Sequence, residues 1–170
     1  MAYNSGCMPV PRTFSCERQG DTLFLSGPIS DEAGLIQLVG QATNRRLVLD
    51  LHGVTFINSL GVRDWVHMQN AAAKAGVRVI LRRVAEVLVH QLNIVPAARA
   101  ASDIESFYAG YLCEHCGDEH SMLLHTETHR ALLLDMKPPP LSCPSCTKPL
   151  TFIDPAELYF SFIAGTSPLR

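Results

Sequence analysis

The sequence predicts an α/β protein, in which helices pack on a mixed sheet and a small β module follows. Two observations support this class. Segments of strand and helix character alternate along the first two thirds of the chain, and two Cys-x-x-Cys pairs lie nearer its end. Of the 170 residues, 47% are apolar, which is enough to bury a core. We expect a flexible lead-in at 1–11, an α/β domain at 12–110 and a cysteine module at 111–165.

The predicted strands are short apolar runs bounded by turn residues. Gly20 can adopt the positive φ of the turn between the first two strands, and Gly27 with Pro28 is expected to end the second. Segment 46–51 is almost continuously apolar, as in a central strand covered on both faces. We expect strands at 13–17, 22–26, 46–51, 77–81 and 104–112.

Three helices are predicted from apolar residues at helical spacing. Ser30 is placed to cap the first helix. The second helix covers 59–75 and carries Trp65 in the core, and the third covers 84–95 and is closed by Pro96. The buried face of the first helix is expected to carry Leu35, Ile36, Val39 and Ala42.

The charge of the chain is nearly balanced, at −2 overall. Residues 45–108 carry eight Lys/Arg against five Asp/Glu, while residues 109–164 carry three against seven. This distribution gives no reason to expect nucleic acid or an anionic membrane as a partner of the whole chain. Charged residues make up only 18% of the sequence, which predicts apolar surface patches that bind other proteins.

No apolar run approaches the roughly 20 residues that span a bilayer. Residues 1–11 also lack the basic start and apolar stretch of a signal peptide. We therefore expect a cytoplasmic protein without membrane insertion, in which thiols stay reduced. Of its six cysteines, Cys7 and Cys16 stand alone and are expected to be ordinary thiols.

The other four cysteines form two pairs. Cys113 and Cys116 make one Cys-x-x-Cys pair, and Cys143 and Cys146 make the second, with 26 residues between the pairs. Each pair directs two thiolates at one point, and four thiolates are the ligand set that tetrahedral zinc prefers. We predict a structural Zn²⁺ site in a zinc-ribbon-like module. Because four thiolates leave no position for water, we expect no catalysis at the metal.

Cys-x-x-Cys pairs also occur in iron–sulfur proteins and in redox proteins. Spacing alone leaves an iron–sulfur cluster open, whereas a redox pair needs no second Cys-x-x-Cys pair at this distance. So small a module has too little core to fold without a metal. Short strands are expected within it at 122–125, 132–134 and 150–153. Four histidines could substitute as ligands but are expected on the surface: His115, His120, His125 and His129.

Segment 47–62, LVLDLHGVTFINSLGV, resembles part of a STAS domain, the domain of sulfate transporters and anti-sigma-factor antagonists. In that family a central strand ends in Asp-Leu and is followed by a loop of the type xVxFIDSSG and then by a helix. The order of the predicted strands and helices over about residues 10–112 also fits. The matching residues are Asp50, Leu51, Val54, Phe56, Ile57, Ser59 and Gly61.

The resemblance implies a phosphorylation switch. In anti-sigma-factor antagonists a partner kinase phosphorylates the serine after the FID stretch, and Ser59 occupies that position. The unmodified form binds an anti-sigma factor or a serine kinase, and the phosphorylated form is released, because phosphate adds charge and bulk to the docking surface. The resemblance thereby assigns partner binding to Asn58, Ser59, Leu60, Gly61, Val62 and Arg63.

The chain departs from the family pattern at two positions. It carries Asn58 where the family has Asp, and Leu60 where the family has a second Ser or Thr. A second interpretation of Asn58 and Ser59 is a helix cap that needs no phosphate, and both interpretations can hold together. Leu60 makes the loop more apolar and so favours constitutive binding.

The leading hypothesis is a non-enzymatic protein-binding regulator that acts in signal transduction and transcription. The chain has neither a glycine-rich phosphate loop nor a G-x-S-x-G serine elbow. One alternative is a structural or accessory subunit of a transporter or signalling assembly. Another is nucleic-acid binding by the zinc module, which the negative charge of 109–164 opposes. Self-association stays open. Arg82 and Arg83 lie in a solvated loop or bind an acidic partner, and Asp50 is expected to organise the loop after its strand.

Overall fold

The structure is a computed structural model that describes residues 13–100 and 102–163. It confirms a mixed α/β architecture, with a five-stranded sheet, a three-stranded sheet and helices packed on them. The predicted lead-in at 1–11 and the thiol of Cys7 lie outside the described residues. None of the helices in the described part is both long and apolar enough to cross a membrane.

The first sheet has the order β1-β2-β3-β4-β5. Strands β1 and β2 form an antiparallel hairpin, whose turn uses Gly20 at φ 62°. All later pairings are parallel, so helices must cross over between the strands. The five strands are β1 (Ser15–Gln19), β2 (Thr22–Ile29), β3 (Arg46–Ile57), β4 (Arg78–Arg82) and β5 (Asp103–Ile104).

The second sheet has the order β7-β6-β8, and both of its pairings are antiparallel. Its strands are β6 (Ser106–Leu112), β7 (Glu119–His125) and β8 (Thr151–Phe152). The chain passes between the two sheets at Glu105, whose N–H donates to the Leu81 carbonyl in β4. The single strand predicted at 104–112 is therefore divided between the two sheets.

In the described part of the chain, five α-helices connect and cover these strands. The longest, α1, follows β3, and Gly76 lies just beyond its end at φ 65°, as in a left-handed C-cap. Pro96 follows α2, as predicted, but it also begins α3, because proline fits the first helical position. The helices are α1 (Ser59–Lys74), α2 (Glu86–Ile94), α3 (Pro96–Arg99), α4 (Thr126–Leu134) and α5 (Ala156–Tyr159).

The first predicted helix is wrong in type. The segment forms two 3₁₀ helices, Asp31–Ala33 and Leu35–Gln41, because Gly34 at φ 60° interrupts the turn between them. With three residues per turn, Leu35 and Leu38 face the core, whereas Ile36 is 55% exposed. Ser30 does cap the first of these helices, and its side chain accepts from the backbone N–H of Glu32.

Two strands run further than predicted. Strand β2 continues through Gly27 and Pro28 to Ile29, because its register against β3 shifts at Gly27, which has φ 84°. Strand β3 extends to Ile57 and not Leu51, so most of the expected loop before α1 is strand. The bulged pairing to β2 satisfies the backbone groups of this extension.

The three leucines at 132–134 form helix and not strand. They lie at the end of α4, where Leu133 is buried and Leu134 is 46% exposed. A run of three apolar residues carries no period, so it cannot distinguish a strand from the end of a helix.

One hydrophobic core extends through both sheets. Trp65 is 2% exposed, as predicted for a core residue, and its Nε1 donates to the Ala98 carbonyl at 2.7 Å. The segment after α5 closes this core, because Phe160 and Phe162 pack edge-on against Phe107 of β6. Tyr159 ties the segment to β6 through a 2.6 Å hydrogen bond from its hydroxyl to the Tyr108 carbonyl.

Candidate functional site

The two predicted cysteine pairs come together at one end of the second sheet. The Sγ atoms of Cys113, Cys116, Cys143 and Cys146 all lie within 4.8 Å of one another. The Sγ–Sγ distance is 3.4 Å from Cys113 to Cys146, and 3.7 Å from Cys116 to each of Cys143 and Cys146. The sequence therefore predicted correctly that these four residues form one cluster that could hold a metal ion.

The same backbone turn presents each pair. The N–H of Gly117 donates to the Cys113 carbonyl, and the N–H of Thr147 donates to the Cys143 carbonyl, both at 2.8 Å. Both donors have positive φ, 76° at Gly117 and 62° at Thr147. A threonine in this left-handed region is unusual, because its branched Cβ crowds the backbone there. The turn conformation at Thr147 must therefore be held by its surroundings.

Burial divides the four cysteines into two kinds. Cys113 and Cys143 are buried, while Cys146 is half-buried and Cys116 is exposed. The backbone N–H of Cys116 donates to the Cys113 thiol and lowers its pKa to about 7. The N–H of Asp118 lowers the pKa of Cys116, but burial and the three neighbouring thiols outweigh it and raise that pKa to about 12. Without a cation, therefore, the cluster retains protons that a bound metal would displace.

The donor set and its spacing fit a tetrahedral metal ion. At a Zn–S distance of about 2.3 Å, the edges of a tetrahedron of sulfur atoms are about 3.8 Å long. The Sγ–Sγ distances of 3.4 and 3.7 Å lie close to that edge length. Four sulfur ligands without oxygen favour a soft or borderline cation over Mg²⁺ or Ca²⁺. The four residues would fill the coordination shell and leave no open position.

Two of the four nearby histidines, His120 and His129, are half-buried and so are not the surface residues that the sequence predicts. His120 is half-buried, and its Nε2 lies 3.3 Å from the Cys143 Sγ. Strand pairing brings it there, since His120 lies opposite Tyr111, two residues before Cys113. His115 and His125 are exposed, as expected. Only the pairing register of β6 and β7 shows that His120 lies beside Cys143, and the sequence alone does not reveal this register.

Two further residues singled out in the sequence are His129 and the lone thiol Cys16. His129 is half-buried on α4, and burial lowers its pKa. Cys16 is half-buried in β1, and burial raises the pKa of its thiol. Cys16 is therefore far less reactive than a thiol of lowered pKa, as an ordinary thiol should be.

The predicted docking residues lie where β3 ends and α1 begins. Asn58 is the N-cap, and its Oδ1 accepts from the backbone N–H of Gly61 at 2.7 Å. Gly61 is buried against Ile29, and a Cβ there would lie 2.3 Å from the Ile29 carbonyl oxygen. Glycine is therefore required at this position, because the helix start packs directly on the backbone of β2.

The side chains that remain at this helix start point outward. Ser59, Leu60 and Arg63 are exposed, and Val62 is half-buried. Phe56, the next-to-last residue of β3, is 56% exposed. We call Ser59, Leu60 and Arg63 the α1 start surface. The structure thus places the six predicted residues together, with two of them supporting the turn and three presented to solvent.

Asp50 and the two arginines at the end of β4, Arg82 and Arg83, pair with groups inside the chain. Asp50 lies in the middle of β3, and its Oδ2 is 2.6 Å from the Arg83 Nε. Arg82 pairs with Glu105 at 2.5 Å. The hydrogen bond from Arg83 to Asp50 raises the pKa of that guanidinium. The expectation of a loop organised by Asp50 is wrong, since Asp50 instead ties β3 to the end of β4.

No protein-family model matches the sequence, and no curated protein matches it significantly.

Replacing one buried cysteine of the cluster should remove the bound metal. We expect Cys143→Ser to lower zinc to well below one ion per chain and to lower the melting temperature by roughly 10 °C, which corresponds to several kcal/mol at this chain length. The matched control is Cys16→Ser, a half-buried thiol outside the cluster. Elemental analysis and calorimetry measure both quantities. Equal zinc content in the two variants would contradict the assignment.

Adding a methyl group at Gly61 should push α1 away from β2. We expect Gly61→Ala to destabilise the protein by about 1–3 kcal/mol, the usual cost of overpacking. Gly40→Ala is the control, because nothing lies within 4 Å of a Cβ at that exposed glycine. Denaturant unfolding of the two variants tests this, and a Gly61 variant as stable as the Gly40 variant would show that the contact with Ile29 is not close.

Proposed function

We propose that the chain is a non-enzymatic regulatory protein that docks a partner protein through the α1 start surface and carries a structural zinc ion on its four cysteines. The observation that carries the proposal is the contrast within the turn at 58–63. Its backbone is held by hydrogen bonds and a close contact with Ile29, while Ser59, Leu60 and Arg63 are exposed. Surfaces that are ordered before binding lose little entropy on association.

Backbone hydrogen bonds and close packing hold the helix start beneath this surface. The cap from Asn58 satisfies one of the free N–H groups of the helix. The N–H of Asn58 in turn donates to the Ile29 carbonyl at 3.3 Å. Gly61 then packs against the same residue. The cap thus closes the first turn of α1, and one hydrogen bond and one close contact hold that turn on β2.

The resemblance to STAS domains names the class of partner. In this proposal the first sheet with its helices is a STAS-like module, and the partner is an anti-sigma factor or a serine kinase. The support is the matching segment 47–62 and the exposure of Ser59, the proposed phosphoacceptor. Leu60 is 41% exposed and supplies an apolar contact beside it.

Phosphorylation of Ser59 would change this surface by simple electrostatics. Ser59 is the first residue of the 16-residue α1, where the helix carries partial positive charge. A phosphate brings about −1.5 to −2 charges. Arg63 lies one helical turn further along, at the spacing at which opposite charges pair. The phosphate would therefore add negative charge and bulk to the docking surface and would also occupy the arginine.

The proposed zinc ion acts in folding rather than in chemistry. When bound, it would join the turn after β6 to the turn before β8. Its positive charge would stabilise the four thiolates in place of the protons that it displaces. The cysteines lie at the end of the second sheet, whose strands β6 and β8 pair through only two residue pairs. So short a pairing contributes little stability by itself, and a metal ion beside it would compensate.

Two observations favour a second role, as an accessory subunit without a switch. Asn58 stands where the STAS pattern has Asp, and its side chain is engaged in the cap. Leu60 replaces a second hydroxyl residue with an exposed apolar side chain. Both features favour binding that does not depend on phosphate. In this second role the same surface would contact a transporter or a larger signalling assembly.

Affinity capture with charge variants separates the two roles. Full-length wild type, Ser59→Ala and Ser59→Asp are used as bait in lysate of the source cells, and captured proteins are identified by mass spectrometry. For a switch, we expect Ser59→Ala to retain an anti-sigma factor or serine kinase and Ser59→Asp to reduce capture about tenfold or more, or about 1.4 kcal/mol.

The matched control is Asn70→Asp, which adds the same charge to an exposed position further along α1. It should capture the partner as wild type does. Equal capture by Ser59→Asp contradicts the switch and favours the accessory role. Capture that is unaffected by Leu60→Ala and by Arg63→Ala contradicts docking through this surface altogether.

A further inference from the structure

The contact between His120 and Cys143 distinguishes one sulfur of the cluster from the other three. The His120 Nε2 lies 3.3 Å from the Cys143 Sγ, within the range for a hydrogen bond to sulfur. His120 belongs to β7, not to either Cys-x-x-Cys turn, so it approaches the cluster from a third part of the chain. Its position is fixed by the seven residue pairs between β6 and β7.

The chemistry of a bound thiolate determines the direction of this hydrogen bond. A cysteine that coordinates a metal has lost its proton, so its sulfur can only accept. The ring nitrogen must then be the donor, which requires the tautomer with a proton on Nε2. A neutral imidazole is sufficient for this, because one of its two nitrogens always carries a proton.

The position of Cys143 explains why an additional donor helps there. Cys143 is only 1% exposed, so water cannot solvate a negative charge on its sulfur. Backbone N–H groups of Cys146 and Ser145 already donate to it. Four thiolates around one Zn²⁺ still leave a net charge of about −2, and each further N–H donor disperses part of that charge.

We propose that His120 is a positioning residue of the metal centre, which donates its Nε2–H to the Cys143 thiolate and slows metal release without itself binding the metal. This inference rests on the proposed zinc site. The alternative is that His120 replaces a cysteine as ligand. Against it, the mutually close set among the described residues consists of the four sulfur atoms and contains no ring nitrogen.

Removing the imidazole should therefore leave the ligands intact and speed up release. We expect His120→Ala to bind one zinc ion per chain but to lose it to excess chelator about tenfold faster than wild type, at the lower end of the effect of outer-shell partners. His120→Gln, which keeps an N–H donor at similar reach, should restore part of the difference. His125→Ala, an exposed histidine on the same strand, should release zinc at the wild-type rate.

The same full-length proteins loaded with ¹¹³Cd report the ligand set by NMR. We expect one ¹¹³Cd resonance in the range of four sulfur ligands for wild type and for His120→Ala, without one-bond coupling to the ¹⁵N of His120. A nitrogen–cadmium coupling, or a change of the resonance to another ligand class in His120→Ala, would overturn the proposal. Equal release rates of His120→Ala and His125→Ala would also overturn it.

The proposed zinc site and the role of His120 fail in different ways. If wild type binds no zinc, both ideas are wrong. If wild type binds one zinc ion and His120→Ala releases it no faster, only the role of His120 is wrong. Circular dichroism checks that each variant is folded, and if His120→Ala does not fold, the comparison of wild type with His120→Gln and the nitrogen–cadmium coupling in wild type still decide.

Discussion

Four thiols that lie within 4.8 Å of one another cannot all ionise unless a cation lies among them. The opposed pKa shifts of Cys113, to about 7, and Cys116, to about 12, express this constraint directly. Backbone N–H donors favour a thiolate at the first position of a pair, and neighbouring sulfurs oppose a thiolate at the second. A soft divalent cation resolves the conflict, and it would also connect the turns that flank β6 and β8.

This connection would support the second sheet on the side where its strand pairing is short. On the other side, the core is shared with the first sheet, and the aromatic segment at 159–163 closes it. Phe160 and Phe162 pack on Phe107, which follows directly from β5 of the first sheet. The cysteine cluster thus lies at the edge of a core that also supports α1 and its exposed first turn.

The parts that the sequence predicted well are those determined by local chemistry. The Cys-x-x-Cys turns, the turn at Gly20 and the buried Trp65 each follow from a pattern a few residues long. The parts it missed depend on tertiary contacts. The extension of β3 needs the bulged partner β2, and His120 reaches Cys143 only through the β6–β7 register.

The docking role and the metal site make separate demands on the chain, and the metal site can be tested on the purified protein alone. X-ray absorption at the zinc edge of protein purified from its own cells is the most direct measurement. We expect about one zinc ion per chain with four sulfur neighbours at about 2.3 Å. A zinc shell that contains nitrogen or oxygen, or protein with no zinc and with its thiols paired as disulfides, would contradict it.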